Sequence, residues 1–157
     1  MPAMLSESAR IKEARFRVQA PNSLPRAITV IALDAAGEAV VRRLADSNWT
    51  QATFLTALSP DRACDLAGQT RSLRDEVDAA DLVVLVAGPG GRAHAASMVG
   101  QACSIRCVMT TGCVVGTGSA PESDVSLTLA QLRPWSLMVV IAKDDEYIDA
   151  MMTALRA

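Results

Sequence analysis

From residue 27 onward, the chain alternates between two kinds of hydrophobic pattern. Short, predominantly apolar runs, typical of strands buried on both faces, occur at 27–33, 51–58, 82–87, 105–110 and 137–142. The segments that follow these runs predict helices at 38–46, 71–80, 91–104, 123–132 and 144–156. A predicted strand is therefore followed by a predicted helix five times along the chain.

This alternation predicts an α/β fold in which a parallel sheet is covered by helices on both faces. With the predicted strands numbered in chain order, we expect a doubly wound, Rossmann-like, five-stranded sheet with the order 2-1-3-4-5. The helices complete a three-layer sandwich. Residues 27–157 would form this one domain, because 157 residues is an ordinary length for a single domain.

Residues 1–26 have a different character and predict an N-terminal arm. They are polar with mixed charge, and they end in a cluster of turn-forming residues that includes Pro21 and Pro25. Residues 15–18 alternate as an exposed edge strand does, and residues 8–18 are equally compatible with a short helix. Two interpretations stay open: a mobile tail, or an arm that docks on a partner subunit of a homo-oligomer or larger assembly.

Composition excludes several classes of protein. Hydrophobic residues make up 50% of the chain, which excludes disorder, and a formal net charge of −2 excludes a nucleic-acid footprint. No apolar run approaches the roughly 18 residues that a membrane span needs. The first 20 residues lack the apolar stretch of a signal peptide, so we expect a cytoplasmic protein with reduced cysteines.

The predicted topology indicates where a ligand would bind. In doubly wound sheets, ligands lie outside the carboxyl ends of the strands, at the point where the winding reverses. The loops expected there are residues 34–37 and 88–94. Gly88, Gly90 and Gly91 would let a ligand approach the backbone, and the following helix would direct its N-terminal N–H groups at an anion.

A phosphate-bearing small molecule is therefore the leading expectation for this site. Its binding residues would be Asp34, Gly37, Gly88, Gly90, Gly91, Arg92, His94, Thr110 and Thr111. Arg92 would add a charged contact, and the two threonines would donate hydrogen bonds from the loop after the fourth strand. The alternative is that the glycines form only a tight turn between a strand and a helix.

The first loop argues against a standard dinucleotide site. Such a site has the pattern G-x-G-x-x-G, whereas here only Gly37 remains, and Asp34 places a negative charge where a pyrophosphate would lie. No acidic residue ends the second strand to hold a ribose. NAD is therefore disfavoured, and the chain has no P-loop motif.

Two side chains are candidates for chemistry, although we favour a protein without catalysis. His94 is the only histidine and lies in the predicted glycine loop. Cys113 follows the predicted fourth strand, as a nucleophile could. The spacing of Cys103, Cys107 and Cys113 differs from the paired cysteines of metal sites, so buried, apolar cysteines are the expectation.

Residues 80–91, ADLVVLVAGPGG, resemble the stretch that leads into the tubulin signature of the bacterial division protein FtsZ. Residues 29–31 and 37–40 resemble the first strand and glycine loop of the same family, and residues 136–142 resemble a later strand. The resemblance implies a Rossmann-like nucleotide-binding domain with GTP as a candidate ligand. Residues 92–95 replace the threonine–glycine run, and the second domain is missing, so it also implies weakened nucleotide binding and no hydrolysis.

Two functional hypotheses follow from these patterns. The first is a domain that binds a phosphate-bearing small molecule, most simply a nucleotide, at residues 88–94 without hydrolysing it. The alternative is a non-catalytic scaffold or subunit that has kept the fold, lost the ligand and acts through oligomerisation or protein contacts.

Overall fold

The computed structural model describes residues 26–47, 49, 51–59, 61–90, 95–143 and 145–155. Apart from Arg26, the predicted N-terminal arm lies outside these residues. One mixed sheet of seven strands forms the centre of the fold, in the order β4-β3-β2-β1-β5-β6-β7. The strands are β1 (Ile28–Ala32), β2 (Ala52–Ala57), β3 (Arg62–Asp65), β4 (Thr70–Ser72), β5 (Leu82–Ala87), β6 (Met109–Val114) and β7 (Met138–Ile141).

The prediction of a five-stranded sheet is wrong, because β3 and β4 extend it. These two short strands form an antiparallel hairpin that pairs with β2. All three residues of β4 are exposed, so this hairpin lacks the apolar run from which the other strands were predicted. The five remaining strands are mutually parallel and adjacent, in the order β2-β1-β5-β6-β7. The winding therefore reverses between β1 and β5.

Helices cover both faces of the sheet and give three layers. They are α1 (Ala35–Ala45), α2 (Leu73–Asp78), α3 (Ala95–Ile105), α4 (Glu122–Leu132) and α5 (Asp145–Ala154). One core, which includes Val30, Val84 and Val41, lies between the sheet and helices α1 and α5. A second core, which includes Leu85 and Val99, lies between the opposite face and helices α2, α3 and α4. The predicted α/β three-layer architecture is confirmed at this level.

One strand begins four residues later than predicted. The apolar residues from Ile105 suggested a strand at 105–110, but Ile105 ends α3 and is 80% exposed. Cys107 then adopts a left-handed conformation with φ of 57°. The Val108 N–H donates to Cys103 O at 2.9 Å, which closes the end of the helix. This turn delays β6 to residue 109.

Within the described part of the chain, none of the helices has the length and apolar character needed to cross a membrane.

Candidate functional site

The carboxyl edge of the sheet is organised around the side chain of Asp34. This residue follows β1 and caps α1, and its Oδ1 accepts a hydrogen bond from the Gly37 N–H at 2.8 Å. The Gly88 N–H, just beyond β5, donates to Asp34 Oδ2 at 2.9 Å and to Oδ1 at 3.2 Å. One carboxylate therefore ties together the two loops at the reversal of winding.

Close packing explains the glycines in these two loops. A Cβ on Gly37 would lie 2.3 Å from Val86 O, and one on Gly88 would lie 2.5 Å from the Ala36 Cβ. Both distances are far below a van der Waals contact. The first turn of α1 can therefore rest against the end of β5 only because these two positions lack side chains.

Helix α4 holds the turn after β5 from the other side. The Gly90 N–H donates to Asp124 O at 3.0 Å and to Thr128 Oγ1 at 3.0 Å. The Thr128 hydroxyl in turn donates to Gly88 O at 3.1 Å, and Thr128 is completely buried. The N–H groups of Gly88 and Gly90 thus both donate within the chain. The sequence analysis did not single out Thr128. The available signal was a polar residue within the helix predicted at 123–132.

A cavity of about 410 Å³ opens beside Asp34 at the same edge of the sheet. It lies between the ends of β1 and β2 and the first turn of α3. Its lining residues are Leu33, Asp34, Ala35, Ala57, Leu58, Ala95 and Met98. Asp34 is the one charged group among these described residues, so the cavity combines apolar side chains with a single carboxylate.

Three of the predicted binding residues, Gly91, Arg92 and His94, lie outside the described residues. Among the described predicted residues, Asp34 lines the cavity, and its carboxylate accepts hydrogen bonds from the N–H groups of Gly37 and Gly88. The Gly90 N–H is bonded to α4 instead. Their ligand-binding role stays a prediction.

Thr110 and Thr111 lie elsewhere, and the expectation that they follow a strand at the carboxyl edge is wrong. Both are buried in the first half of β6, paired with Val83 and Val84. Thr110 also lines a second cavity of about 400 Å³ at the opposite edge, with Cys107 and Trp135 among its neighbours. The late start of β6 is the cause of this displacement.

The position of Cys113 does not favour a nucleophile. It lies inside β6 rather than in a loop, and it is fully buried. Burial raises the pKa of the Cys113 thiol to about 12, and burial likewise raises the pKa of the Cys103 thiol. A protonated, enclosed thiol is unreactive at neutral pH. Among the described residues, no group of three or more His, Cys, Asp or Glu side chains could hold a metal ion.

These features define a doubly wound α/β domain with a partly apolar cavity beside the point where the winding of the sheet reverses. Comparison with models of known protein families finds no match for the chain, and comparison with curated proteins finds none either. The resemblance to the FtsZ and tubulin family stays a prediction.

Proposed function

We propose that this domain binds a phosphate-bearing small molecule, most simply a nucleotide, in the cavity beside Asp34, without hydrolysing it. The observation that supports this proposal is the location of the cavity. It lies at the carboxyl edge, beside the reversal of winding and against the first turn of α3. Ligands of open α/β sheets bind at this kind of position.

The chemistry of the cavity suggests an orientation for the ligand. The apolar side chains of Leu33, Leu58 and Met98 suit a planar ring or another apolar group. Helix α3 has 11 residues, and its N-terminus favours an anion. Gly88 and Gly90 already use their N–H groups within the chain, so we expect phosphate contacts from Gly91, Arg92 and the start of α3 instead.

A thermal-shift panel tests this proposal directly. GTP, GDP, ATP, NAD, NADPH, FMN and coenzyme A would each be added at about 1 mM with magnesium to the full-length protein. A ligand bound only by the native state raises the Tm, by roughly 3 °C or more if its Kd is tenfold below its concentration. No shift with any compound would contradict the proposal.

A pair of matched variants locates the site. Ala35 is exposed and lines the cavity, whereas Ala154 is exposed at the end of α5. Ala35→Leu should fill the cavity and reduce the ligand-induced shift at least severalfold, and Ala154→Leu should leave the shift unchanged. A shift that survives in Ala35→Leu would place the ligand elsewhere.

A second candidate function is a scaffold or subunit that acts through self-association, and the edge strand β7 favours it. Edge strands in proteins that stay monomeric usually carry charge or proline, or are covered. Strand β7 contains four uncharged residues, of which Met138 and Ile141 are 47% and 44% exposed, and the preceding Leu137 is 79% exposed. Two copies could pair along this edge.

Light scattering after size exclusion tests the second candidate. We expect the full chain to form oligomers at roughly 10–100 µM, since non-obligate assemblies of micromolar affinity populate at such concentrations. Met138→Lys should convert them to monomers. The control is Thr70→Lys on β4, the opposite and polar edge of the sheet, which should leave the oligomer intact. A monomeric wild-type protein would rule this candidate out.

A further inference from the structure

The turn after the first strand of a doubly wound nucleotide-binding domain is where the ligand's pyrophosphate meets a helix N-terminus. In this chain, the corresponding turn connects β1 to α1. The N-terminus of α1 faces the Asp34 carboxylate, which also lines the cavity.

The hydrogen bonds of Asp34 come from two separate segments of the chain. Gly37 belongs to the first turn of α1, and Gly88, 54 positions after Asp34, follows β5. Their N–H groups converge on one carboxylate, with contacts of 2.8 to 3.2 Å. Two backbone N–H groups, both of glycine, thus point at one position between the two segments. This arrangement resembles a small anion-binding site, and the Asp34 carboxylate of the same chain occupies it.

We infer that Asp34 acts as a built-in anion that determines what this edge of the sheet can bind. Its carboxylate occupies the position between Gly37 and Gly88 and repels a second negative group. The wild-type protein therefore rejects phosphate beside β1.

This inference goes beyond the proposed function, because it holds whether or not the native protein binds a nucleotide. One consequence does rest on the proposed function. A ligand in the cavity must present hydrogen-bond donors, such as hydroxyl groups or an amine, to Asp34. Its phosphate is then directed to the other side of the cavity, at α3.

Rescue by inorganic phosphate tests the inference. Asp34→Ala removes the carboxylate and the cap of α1, and it should lower the Tm by several degrees. Phosphate at about 20 mM should then raise the Tm of this variant by roughly 3 °C or more, by binding to the vacated N–H groups. Sodium chloride at the same ionic strength should not. Asp34→Ser, which keeps a shorter helix cap, provides a second variant if Asp34→Ala does not fold.

Two controls and one spectroscopic measurement make the result specific. Wild-type protein should show a smaller phosphate-dependent rise than the Asp34 variants, because any phosphate bound at α3 is common to both. Asp46→Ala, at the other end of α1, removes a carboxylate far from Gly88 and should respond as the wild-type protein does. In amide NMR spectra, phosphate should move the Gly37 and Gly88 resonances of the Asp34 variant only.

Either of two results would overturn the inference: an equal phosphate response in wild type and variant, or folded Asp34→Ala and Asp34→Ser proteins that ignore phosphate. If phosphate stabilises the Asp34 variant but no nucleotide raises the Tm of the wild-type protein, the inference is upheld and the proposed function is rejected. The two failures are therefore distinguishable.

Discussion

At the scale of single residues, Thr128 holds the turn after β5. Its hydroxyl accepts from the Gly90 N–H and donates to Gly88 O, while the whole side chain is buried against the sheet. A buried hydroxyl that satisfies both a donor and an acceptor of one turn holds that turn in a single conformation. Thr128 therefore determines the shape of the loop that enters the candidate site.

Replacing Thr128 by valine keeps the volume and removes both hydrogen bonds. The Gly88 carbonyl then loses this donor in a buried setting, so we expect the free energy of unfolding to fall by about 1–3 kcal/mol. Urea denaturation measures the change. The control is Thr153→Val, where the exposed hydroxyl donates only to Asp149 O in its own helix, and a change within about 0.5 kcal/mol is expected. Equal effects of the two substitutions would contradict this role for Thr128.

At the scale of elements, the β3–β4 hairpin is held by charged groups rather than by a large core. Asp65 Oδ1 accepts from the N–H groups of Gln69 and Ala67 at 2.9 and 3.0 Å. Arg71 contacts Asp65 Oδ2 at 3.2 Å and Glu76 of α2 at 3.1 Å. This chain of contacts joins the hairpin turn to the following helix.

These contacts predict an acid-sensitive hairpin. The Gln69 N–H, with smaller effects from Ala67 and Arg71, lowers the pKa of Asp65 below its usual 3.8 and outweighs the opposing effect of burial. Because the folded pKa is lowered, the stabilisation is complete above pH 3.8 and is lost as the pH falls through the folded value. A carboxyl ¹³C titration should therefore give a midpoint below 3.8 for Asp65.

Arg71→Gln serves as the matched variant for this titration. The backbone hydrogen bonds from Gln69 and Ala67 remain in that variant, so the Asp65 midpoint should rise but stay below 3.8. A wild-type midpoint at or above 3.8 would show that the hairpin is not held in this way.

At the scale of the whole molecule, the sequence predicted the central parallel strands β1 and β5 well because they are buried on both faces. The apolar run at 82–87 has the same bounds as β5, and all six of its residues are buried. The exposed β4, by contrast, has no apolar signal, so the hairpin was missed. The start of β6 depends on a left-handed backbone conformation at Cys107, and cysteine is not a residue type from which such a conformation is predicted.

The candidate site was predictable in part, for a related reason. Its location follows from topology, and the charge of Asp34 already argued against a pyrophosphate beside β1. Asp34 and Gly88 are 54 positions apart in the sequence, so no local pattern reveals the hydrogen bond between them. Thr128 escapes prediction likewise, because its partners lie about 40 positions away, on another element.

The two tryptophans of the chain lie on opposite faces of the sheet. Trp49 packs against the core beneath α1 and α5, and its indole N–H donates to Leu44 O at 2.8 Å. Trp135 packs against the other core and rests on Gly100 of α3, where a Cβ would lie 2.5 Å from that of the tryptophan. Each helical layer therefore carries its own fluorophore, and replacing either tryptophan by phenylalanine leaves an optical reporter for the opposite layer alone.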